Sequence, residues 1–446
     1  MSDVSARVKE LQQRGVRIVA CTFVDLAGVT RVKCVPIGRL DRAAAHGVGI
    51  SDLSAIYAID DHITTTSVYD SPSGDMRLRP DVSAAVALHF ADGWAWAPVD
   101  QYSQEGEHKP DCPRGFTQRA AAAAQRRGLG VRMAYEVEFT LLDAAGEPAH
   151  RGPGYGMRAL TAHESLAMEL VTALSAQGIE VEQFHPEYAP GQFEVSVTPL
   201  DPVAACDRLV LLRNTITRVA GRHDLTANFS PIVLPGEVGN GCHAHVSFSR
   251  DGANVLTGGD RPAGLTADGE SLLAGILNRL PDMQAVLAPS VQSYERLQPQ
   301  HWSGSFTAWG VENREAALRF CPGSASLRST GANAEIKPID GTANPYLVAG
   351  LLIMSALAGL ASEEELPPPV RVDPATMSEA DREAGQIYRL PPDLAAAIER
   401  AERSAFLSDA FGKQLFDDVV AVRRFELEHY GDAESDVLLD LGRRYG

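Results

Sequence analysis

The sequence predicts a two-domain protein that combines β-strands with α-helices. Its 446 residues are enough to bury a large core, and 45% hydrophobic with 22% charged residues is typical of a globular chain. Beyond residue 115, segments that alternate apolar and polar residues are separated by segments with helical patterns. The polar stretch 101–114, with two prolines, is the best candidate linker. We therefore expect a small N-terminal domain, residues 1–105, and a larger domain, residues 106–446.

The predicted elements follow in chain order. The polar, amphipathic start of the chain predicts a helix, residues 17–36 predict a hairpin around Leu26-Ala27-Gly28, and residues 82–98 have strand-like composition. Helices are predicted at 115–127, 165–177, 202–223 and 270–280, and again from 391 onward. The apolar run 345–360 begins with an Asn344 cap followed by Pro345. It is short for a bilayer, so it predicts a buried helix.

Charge and cysteine content argue against several classes of protein. A net charge of −18 with no compensating basic run argues against a nucleic-acid or membrane partner. The first residues lack the apolar core of a signal peptide. The 6 cysteines include no CxxC pair and predict reduced thiols, which favours the cytoplasm.

Four short stretches place polar groups on one strand face and hydrocarbon on the other. Residues i and i+2 share a face of a strand, so each stretch presents its polar side chains together. These side chains are Glu136 and Glu138; Glu194; His243, His245 and Ser247; and Asn333, Glu335 and Lys337. Carboxylates and imidazoles gathered in one sheet suit divalent cations such as Mg²⁺ or Mn²⁺, and phosphates. The candidate ligands are Glu136, Glu138, Glu187, Glu194, His243 and Glu335.

Each of these features alone has a simpler interpretation. A single Glu-x-Glu pair is most often a solvent-facing part of a half-exposed strand. Residues 236–241 contain three glycines, which fit a close approach to a ligand or an ordinary turn. Arginines such as Arg296, Arg314 and Arg319 fit bidentate binding of a carboxylate or phosphate, and they also fit ordinary surface ion pairs. Residues 312–319 also fit the start of a plain helix.

Taken in order, the motifs resemble those of the glutamine synthetase family over most of the chain. They lie at residues 24–31, 74–81, 136–139, 187–194, 241–247, 293–297, 313–314, 318–319, 335–337 and 343–347. The resemblance implies an α+β fold. A β-grasp domain would precede a catalytic domain whose antiparallel sheet, with surrounding helices, forms a bifunnel active site. Family members assemble as stacked rings, so a homo-oligomer such as a dodecamer is implied, with active sites between subunits.

The resemblance also implies residue roles. One metal ion would be held by Glu138, Glu187 and Glu194, and a second by Glu136, His243 and Glu335. ATP would lie near Ser247 and Arg319, with Arg314 beside the transferred phosphate. The glutamate substrate would lie near Gly239 and Arg296, with Lys337 and His245 also on the substrate side. Its γ-carboxylate would take the γ-phosphate of ATP, and an amine would then displace phosphate to give an amide.

The chain departs from the family at the amine site. Glutamine synthetases place a glutamate six residues after the arginine of the Ser-Tyr-x-Arg-Leu motif, and this chain has Trp302 there. The family's Asp-Gly-Ser-Ser motif is also absent, and Asp52 in Gly49–Ser54 is the nearest substitute. Ammonium needs fixed negative charge, whereas an indole suits the carbon tail or ammonium head of a larger amine. We therefore expect an organic amine: ethanolamine, another short monoamine, or a polyamine.

Further departures leave alternatives open. No acidic cluster is evident near Trp302 for the distal ammonium of a polyamine, which slightly favours a monoamine. Lys337 stands where the family has an arginine that binds the glutamate substrate. Lysine keeps the positive charge but cannot make the bidentate hydrogen bonds of a guanidinium group. Asp52 and His301 are candidates to accept the amine proton. Tyr388 stands where some bacterial members are adenylylated, but its flanking residues differ.

Two other functions fit the sequence. The first is an authentic glutamine synthetase in which Asp52 or a backbone carbonyl binds ammonium. The second is an inactive structural or regulatory relative. The complete set of candidate ligands and phosphate-binding arginines argues against the inactive relative. Only the amine pocket separates the first alternative from an organic-amine ligase.

Overall fold

A computed structural model describes residues 2–445, which contain two β-sheets. The first sheet comprises β1 (Ile18–Val24), β2 (Thr30–Pro36), β3 (Val48–Ser51), β4 (Asp75–Pro80), β5 (Val86–Ala87) and β6 (Trp94–Tyr102). Its order is β2-β1-β6-β4-β3, with β5 beside β6 and with β1 parallel to β6. The predicted hairpin is confirmed as β1 and β2. Helices α1 (Ser2–Gln13) and α2 (Leu40–His46) contribute Leu11 and Leu40 to its core, as expected of a small β-grasp domain.

The second sheet carries the predicted ligand strands. Its members are β7 (Leu129–Leu142), β8 (Val181–Pro186), β9 (Gln192–Val197), β10 (Thr226–Asn228), β11 (Cys242–Arg250), β12 (Ala253–Asn254), β13 (Trp309–Val311), β14 (Leu318–Cys321) and β15 (Asn333–Ile336). The order is β13-β14-β15-β11-β7-β9-β8. Within residues 2–445 its strand pairs are antiparallel, as predicted, except for β13 and β14 at one edge.

Helices surround this sheet and continue to the end of the chain. They are α3 (Pro113–Arg126), α4 (Met157–Ala162), α5 (Glu164–Ala176), α6 (Pro202–Arg222), α7 (Ala267–Leu287), α8 (Ser293–Arg296), α9 (Arg328–Gly331), α10 (Pro345–Ala361), α11 (Glu379–Ala384), α12 (Leu394–Arg403), α13 (Ala405–Phe411), α14 (Lys413–Tyr430) and α15 (Ser435–Tyr445). The helices predicted from the sequence are confirmed as α1, α3, α5, α6, α7, α10 and the C-terminal group. Across residues 2–445, no helix combines the length and apolar character needed to cross a membrane.

The buried helix α10 ties the two parts of the molecule together. Its cap residue Asn344 accepts backbone hydrogen bonds from Tyr346 (3.0 Å) and Leu347 (3.2 Å) through its side-chain oxygen. The side-chain nitrogen of Asn344 donates to the carbonyls of Val24 (3.1 Å) and Asp25 (2.9 Å) in the N-terminal hairpin. The helix cap therefore fixes the first sheet against the helical layer.

Two local predictions need correction. Residues 82–98 are not one strand: a short 3₁₀ turn, Val82–Ala84, precedes β5, and β6 begins only at Trp94. Residues 312–319 do not start a helix, because they turn from β13 into β14, with Glu312 at a left-handed φ of 53°. The boundary at residues 105 and 106 stays a prediction, and it falls between β6 and α3.

Candidate active site

Strand pairing brings the predicted ligands onto one face of the second sheet. His243 on β11 lies opposite Glu136 on β7. Glu138 on β7 lies opposite Glu194 on β9, and Glu335 on β15 lies opposite His245. Directly opposed residues in antiparallel strands are close enough for their side chains to interact. We call the following residues the sheet floor: Glu136, Glu138, Glu187, Glu194, His243 and Glu335.

One end of the sheet floor forms a three-residue ligand cluster. Ligand atoms of Glu136, His243 and Glu335 all lie within 4.8 Å of one another. His243 Nδ1 is 3.3 Å from Glu335 Oε1 and 3.4 Å from Glu136 Oε2. Two carboxylates with one imidazole suit Mg²⁺ or Mn²⁺, so the residues fit the second predicted metal site.

Positive charge already surrounds Glu335. Its two oxygens are 3.0 Å from Lys337 Nζ and 3.0 Å from Arg319 Nη1. Burial opposes its ionisation, but Lys337, followed by His243, holds the pKa of Glu335 below its usual range. The carboxylate is therefore held in its charged form, and Lys337 is bound to the sheet floor through it.

The other end of the sheet floor forms a second three-residue cluster. Ligand atoms of His185, Glu187 and Glu194 lie within 4.8 Å of one another, with His185 Nε2 3.0 Å from Glu187 Oε1. Glu138 lies between the two clusters, where its Oε2 accepts hydrogen bonds from Gln192 Nε2 (3.0 Å) and Gly241 N (2.8 Å). His185 was not predicted from the sequence, although it lies two residues before Glu187 in the same alternating pattern.

Negative charge is concentrated at Glu194. Burial, together with the charges of Glu136 and Glu138, raises the pKa of Glu194 well above its usual range. A bound cation is the simplest way to relieve such crowding, because it supplies the missing opposite charge. The donor set at this end of the floor therefore also fits a divalent metal ion.

A cavity of about 350 Å³ lies above the sheet floor. Its lining includes the predicted residues Glu136, Glu138, Glu187, Glu194, Gly239, His243, Arg296, Trp302, Arg314, Glu335 and Lys337. A side chain at Gly239 has no room, because a Cβ there would lie 1.8 Å from the Pro231 carbonyl oxygen. His301, a candidate proton acceptor, also lines the cavity.

Arg296 offers the cavity a buried cation. The residue is 4% exposed, and its Nη2 lies 3.0 Å from His243 Nε2 and donates to the Lys337 carbonyl at 3.4 Å. Its Nη1 is buried and has no hydrogen-bond partner among the described residues. A guanidinium with a free donor favours an anionic group such as a carboxylate.

Four predicted site residues lie outside the cavity lining. His245 contacts Glu136 at 3.1 Å and Asn333 at 2.8 Å; burial opposes its protonation, but Glu136 raises the pKa of His245 to about 9. Arg319 is held by Glu335 and Glu312, and Ser247 lies further along β11. Asp52 pairs with Lys109 at 3.2 Å in the N-terminal part of the chain. A role for Asp52 in a neighbouring subunit stays a prediction.

Three partly exposed aromatic residues line the cavity and are here called the aromatic mouth: Tyr155, Tyr188 and Trp302. The rings of Tyr188 and Trp302 are perpendicular, with centroids 5.2 Å apart. Tyr155 stacks on His185 at 5.8 Å. Tyr155 and Trp302 have left-handed φ angles of 57° and 53°, which bulky residues rarely adopt. Trp302 was predicted from the sequence, but the two tyrosines were not, because they belong to no recognisable sequence motif.

Known protein families match almost the whole chain. The family model for the glutamine synthetase N-terminal domain matches residues 4–109, and the model for the glutamine synthetase catalytic domain matches residues 110–440. A γ-glutamylpolyamine synthetase of Streptomyces coelicolor is 47% identical over 420 residues, covering 93% of this chain and 90% of the relative. A glutamine synthetase of Methanosarcina mazei is 28% identical, covering 96% and 94%.

A solved structure shares the whole fold. The crystal structure of a novel glutamine synthase homolog superposes with a TM-score of 0.86 at 32% identity, covering 97% of this chain and 99% of that chain. The family models, the curated relatives and this superposition together cover both domains of the fold. The chain belongs to the glutamine synthetase family, and it is an ATP-dependent ligase that forms carbon–nitrogen bonds.

Proposed function

We propose that the protein joins the γ-carboxylate of glutamate to an organic primary amine, using ATP and a γ-glutamyl phosphate intermediate. The observation that carries the choice of amine is Trp302 on the cavity wall, where an ammonium site needs a carboxylate. The Streptomyces coelicolor relative is named for polyamines, which makes polyamines the first acceptors to test. Ethanolamine and short monoamines are the other acceptors.

The reaction has two steps. A γ-carboxylate oxygen of glutamate attacks the γ-phosphorus of ATP, the bond to the bridging oxygen breaks, and ADP leaves. The amine nitrogen then attacks the acyl carbon, the carbon–oxygen bond breaks, phosphate leaves, and the nitrogen loses a proton. We assign stabilisation of the transferred phosphoryl group to Arg314 on the cavity wall and to Arg319. His301, or Asp52 of a neighbouring subunit, would accept the proton.

We assign the remaining roles from the geometry of the cavity. Arg296, with its unpartnered Nη1, would bind a carboxylate of glutamate beside Gly239. Lys337 and His245 would support this site through the floor, since Lys337 bonds Glu335 and His245 contacts Glu136. Ser247 and Arg319 would lie toward the nucleotide.

We propose two divalent cations, Mg²⁺ or Mn²⁺, in each active site. Glu136, His243 and Glu335 would hold one, and Glu138, Glu187 and Glu194 the other, with His185 beside Glu187. When bound, such ions neutralise charge on the transferred phosphate. The ring-shaped homo-oligomer, the domain boundary at residues 105 and 106, and the cytoplasmic location remain proposals, and membership of the family supports the first.

Phosphate release and product mass test the proposed function. The protein, ATP, glutamate and Mg²⁺ are combined with ammonium, ethanolamine, butylamine, putrescine or spermidine. We expect ADP, phosphate and a γ-glutamyl amide with at least one organic amine, and much slower turnover with ammonium. Glutamine as the fastest product would overturn the assignment of the amine. Failure with every acceptor, including ammonium, would overturn the glutamate ligase activity itself.

A further inference from the structure

We infer that the corner between Tyr188 and Trp302, with the carboxylate of Glu315 beside it, binds the second ammonium group of a diamine or polyamine acceptor. This inference rests on the proposed function and narrows its substrate class. It assigns a role in substrate specificity to Tyr188 and Glu315, two residues outside the sheet floor.

The two rings form an open corner on the cavity wall. Tyr188 is 51% exposed and Trp302 is 43% exposed, and both line the cavity, so much of each ring is free for a ligand. Their planes are perpendicular, with centroids 5.2 Å apart. A corner of this kind offers a methylene chain two apolar surfaces. It also offers a cation the electron-rich face of an indole or a phenol.

Glu315 adds fixed negative charge to this corner. Its Oε1 accepts a hydrogen bond of 3.1 Å from the backbone nitrogen of Trp302, so the carboxylate is held at the backbone of that residue, behind the cavity-lining side chains. Asp373 and Lys337 both lie close enough to Glu315 to act on it electrostatically, with opposite signs. An acidic side chain next to Trp302 was not predicted, because Glu315 is 13 residues further along the chain. A carboxylate beside aromatic faces suits an organic ammonium group.

The corner is joined directly to the sheet floor. The backbone nitrogen of Tyr188 donates to Glu187 Oε2 at 3.0 Å, which fixes the tyrosine next to a floor carboxylate. An amine whose reacting nitrogen lies above the floor would therefore extend its carbon chain toward the Tyr188 ring. A diamine would place one nitrogen above the sheet floor and the other in the corner. Ammonium has a single nitrogen and can occupy only one of these two places.

Steady-state kinetics with matched amines tests the inference. Putrescine and butylamine have the same four-carbon chain, but only putrescine carries a second ammonium group. For the native protein we expect a lower KM for putrescine. Tyr188→Leu should raise the KM for putrescine about tenfold, the upper part of the range for one cation–π contact, with a small change for butylamine and for either kcat.

Glu315→Gln provides a second, conservative variant. The amide oxygen of glutamine still accepts the hydrogen bond from Trp302, so the loop is retained while the charge is lost. Its KM for putrescine should rise several-fold, and the value for butylamine should not. Tyr388→Leu is the matched control, because Tyr388 is 58% exposed and lies outside the cavity lining; it should change neither KM.

The outcomes separate this inference from the proposed function. If the native protein forms only glutamine, the proposed function fails. If it uses putrescine but prefers butylamine, or if both variants leave the ratio of the two KM values unchanged, the subsite alone is overturned. Equal losses with both amines in a variant of native melting temperature would also overturn the subsite, because they would indicate a general structural role.

Discussion

The sheet floor and the aromatic mouth are neighbouring regions built in opposite ways. Floor residues lie on or beside paired strands and are largely buried: His243 is 6%, Glu194 8% and Glu335 1% exposed. Mouth residues lie on loops, and two of the three have left-handed backbones. In the proposed function, phosphoryl transfer therefore takes place on a paired sheet and the acceptor is chosen by loops, where a substitution does not disturb strand pairing.

This division has a measurable consequence. A change in the sheet floor should affect the reaction with every acceptor to the same degree, because each acceptor meets the same acyl phosphate. A change in the Tyr188 and Trp302 rings of the aromatic mouth should alter the ratio between acceptors. The predictions below test this contrast, beginning with the largest effect.

Replacing Glu194 with glutamine should cause the largest loss. We expect kcat/KM to fall about 100-fold or more for ammonium and organic amines alike, since one charge that organises phosphoryl transfer is removed. Without metal the same variant should be more stable than the native protein, because a crowded carboxylate with a raised pKa is gone. Kinetics and thermal unfolding in EDTA measure both effects. A loss confined to one acceptor would contradict the contrast.

The sheet floor was largely predictable because strand geometry is simple. A period of two placed Glu136 with Glu138 and His243 with His245, and the structure confirms these strands as β7 and β11. The same rule would have identified His185 with Glu187, had the short strand β8 been recognised. The register between β7 and β9 could not be predicted, because no local sequence feature indicates that Glu138 lies opposite Glu194.

The aromatic mouth was predictable only where it departs from a known motif. Trp302 was identified by comparison with a family pattern, but its left-handed φ and its contact with Tyr188 depend on loops that are far apart in the chain. Glu315 was missed because its hydrogen bond to Trp302 requires the turn between β13 and β14 to fold back. Local sequence patterns do not specify such long-range loop contacts.

Trp302→Glu should have the next largest effect, on acceptor choice. Restoring a carboxylate at this position supplies the fixed charge that ammonium needs and removes the aromatic face. We expect kcat/KM for ammonium relative to putrescine to rise about 10- to 100-fold, a change of about 1.4 to 2.7 kcal/mol. Competition between the two acceptors, followed by product mass, measures the ratio.

A matched tryptophan controls for surface charge and folding. Trp94 is 39% exposed in the first sheet, so Trp94→Glu adds the same charge away from the cavity. This variant should keep the native acceptor ratio. An unchanged ratio in Trp302→Glu would show that the aromatic mouth does not choose the acceptor.

Metal binding should stabilise the sheet floor independently of the mouth. At a free Mn²⁺ concentration of about 100 times the Kd of the Glu136, His243 and Glu335 site, binding at that one site should raise the free energy of unfolding by about 2.7 kcal/mol. Tyr188→Leu should keep this stabilisation, because its side chain contributes no ligand atom to either cluster. Glu335→Gln should lose most of it. Thermal unfolding across a Mn²⁺ titration measures the shift. Loss of the Mn²⁺ stabilisation in Tyr188→Leu would show that the aromatic mouth and the sheet floor are not independent.

Tyr155 connects the two regions, and its hydroxyl should have the smallest effect. Burial raises the pKa of Tyr155 to about 12, and its hydrogen bond with Glu187 adds to the rise, so the hydroxyl remains a donor throughout the working pH range. Tyr155→Phe keeps the ring on His185 and removes only this hydrogen bond, so kcat/KM should fall about two- to tenfold. The fall should be equal for every acceptor, because Glu187 belongs to the floor. A changed acceptor ratio in this variant would instead place the hydroxyl in the amine subsite. Tyr155 would then contribute both to the sheet floor, through Glu187, and to the choice of acceptor.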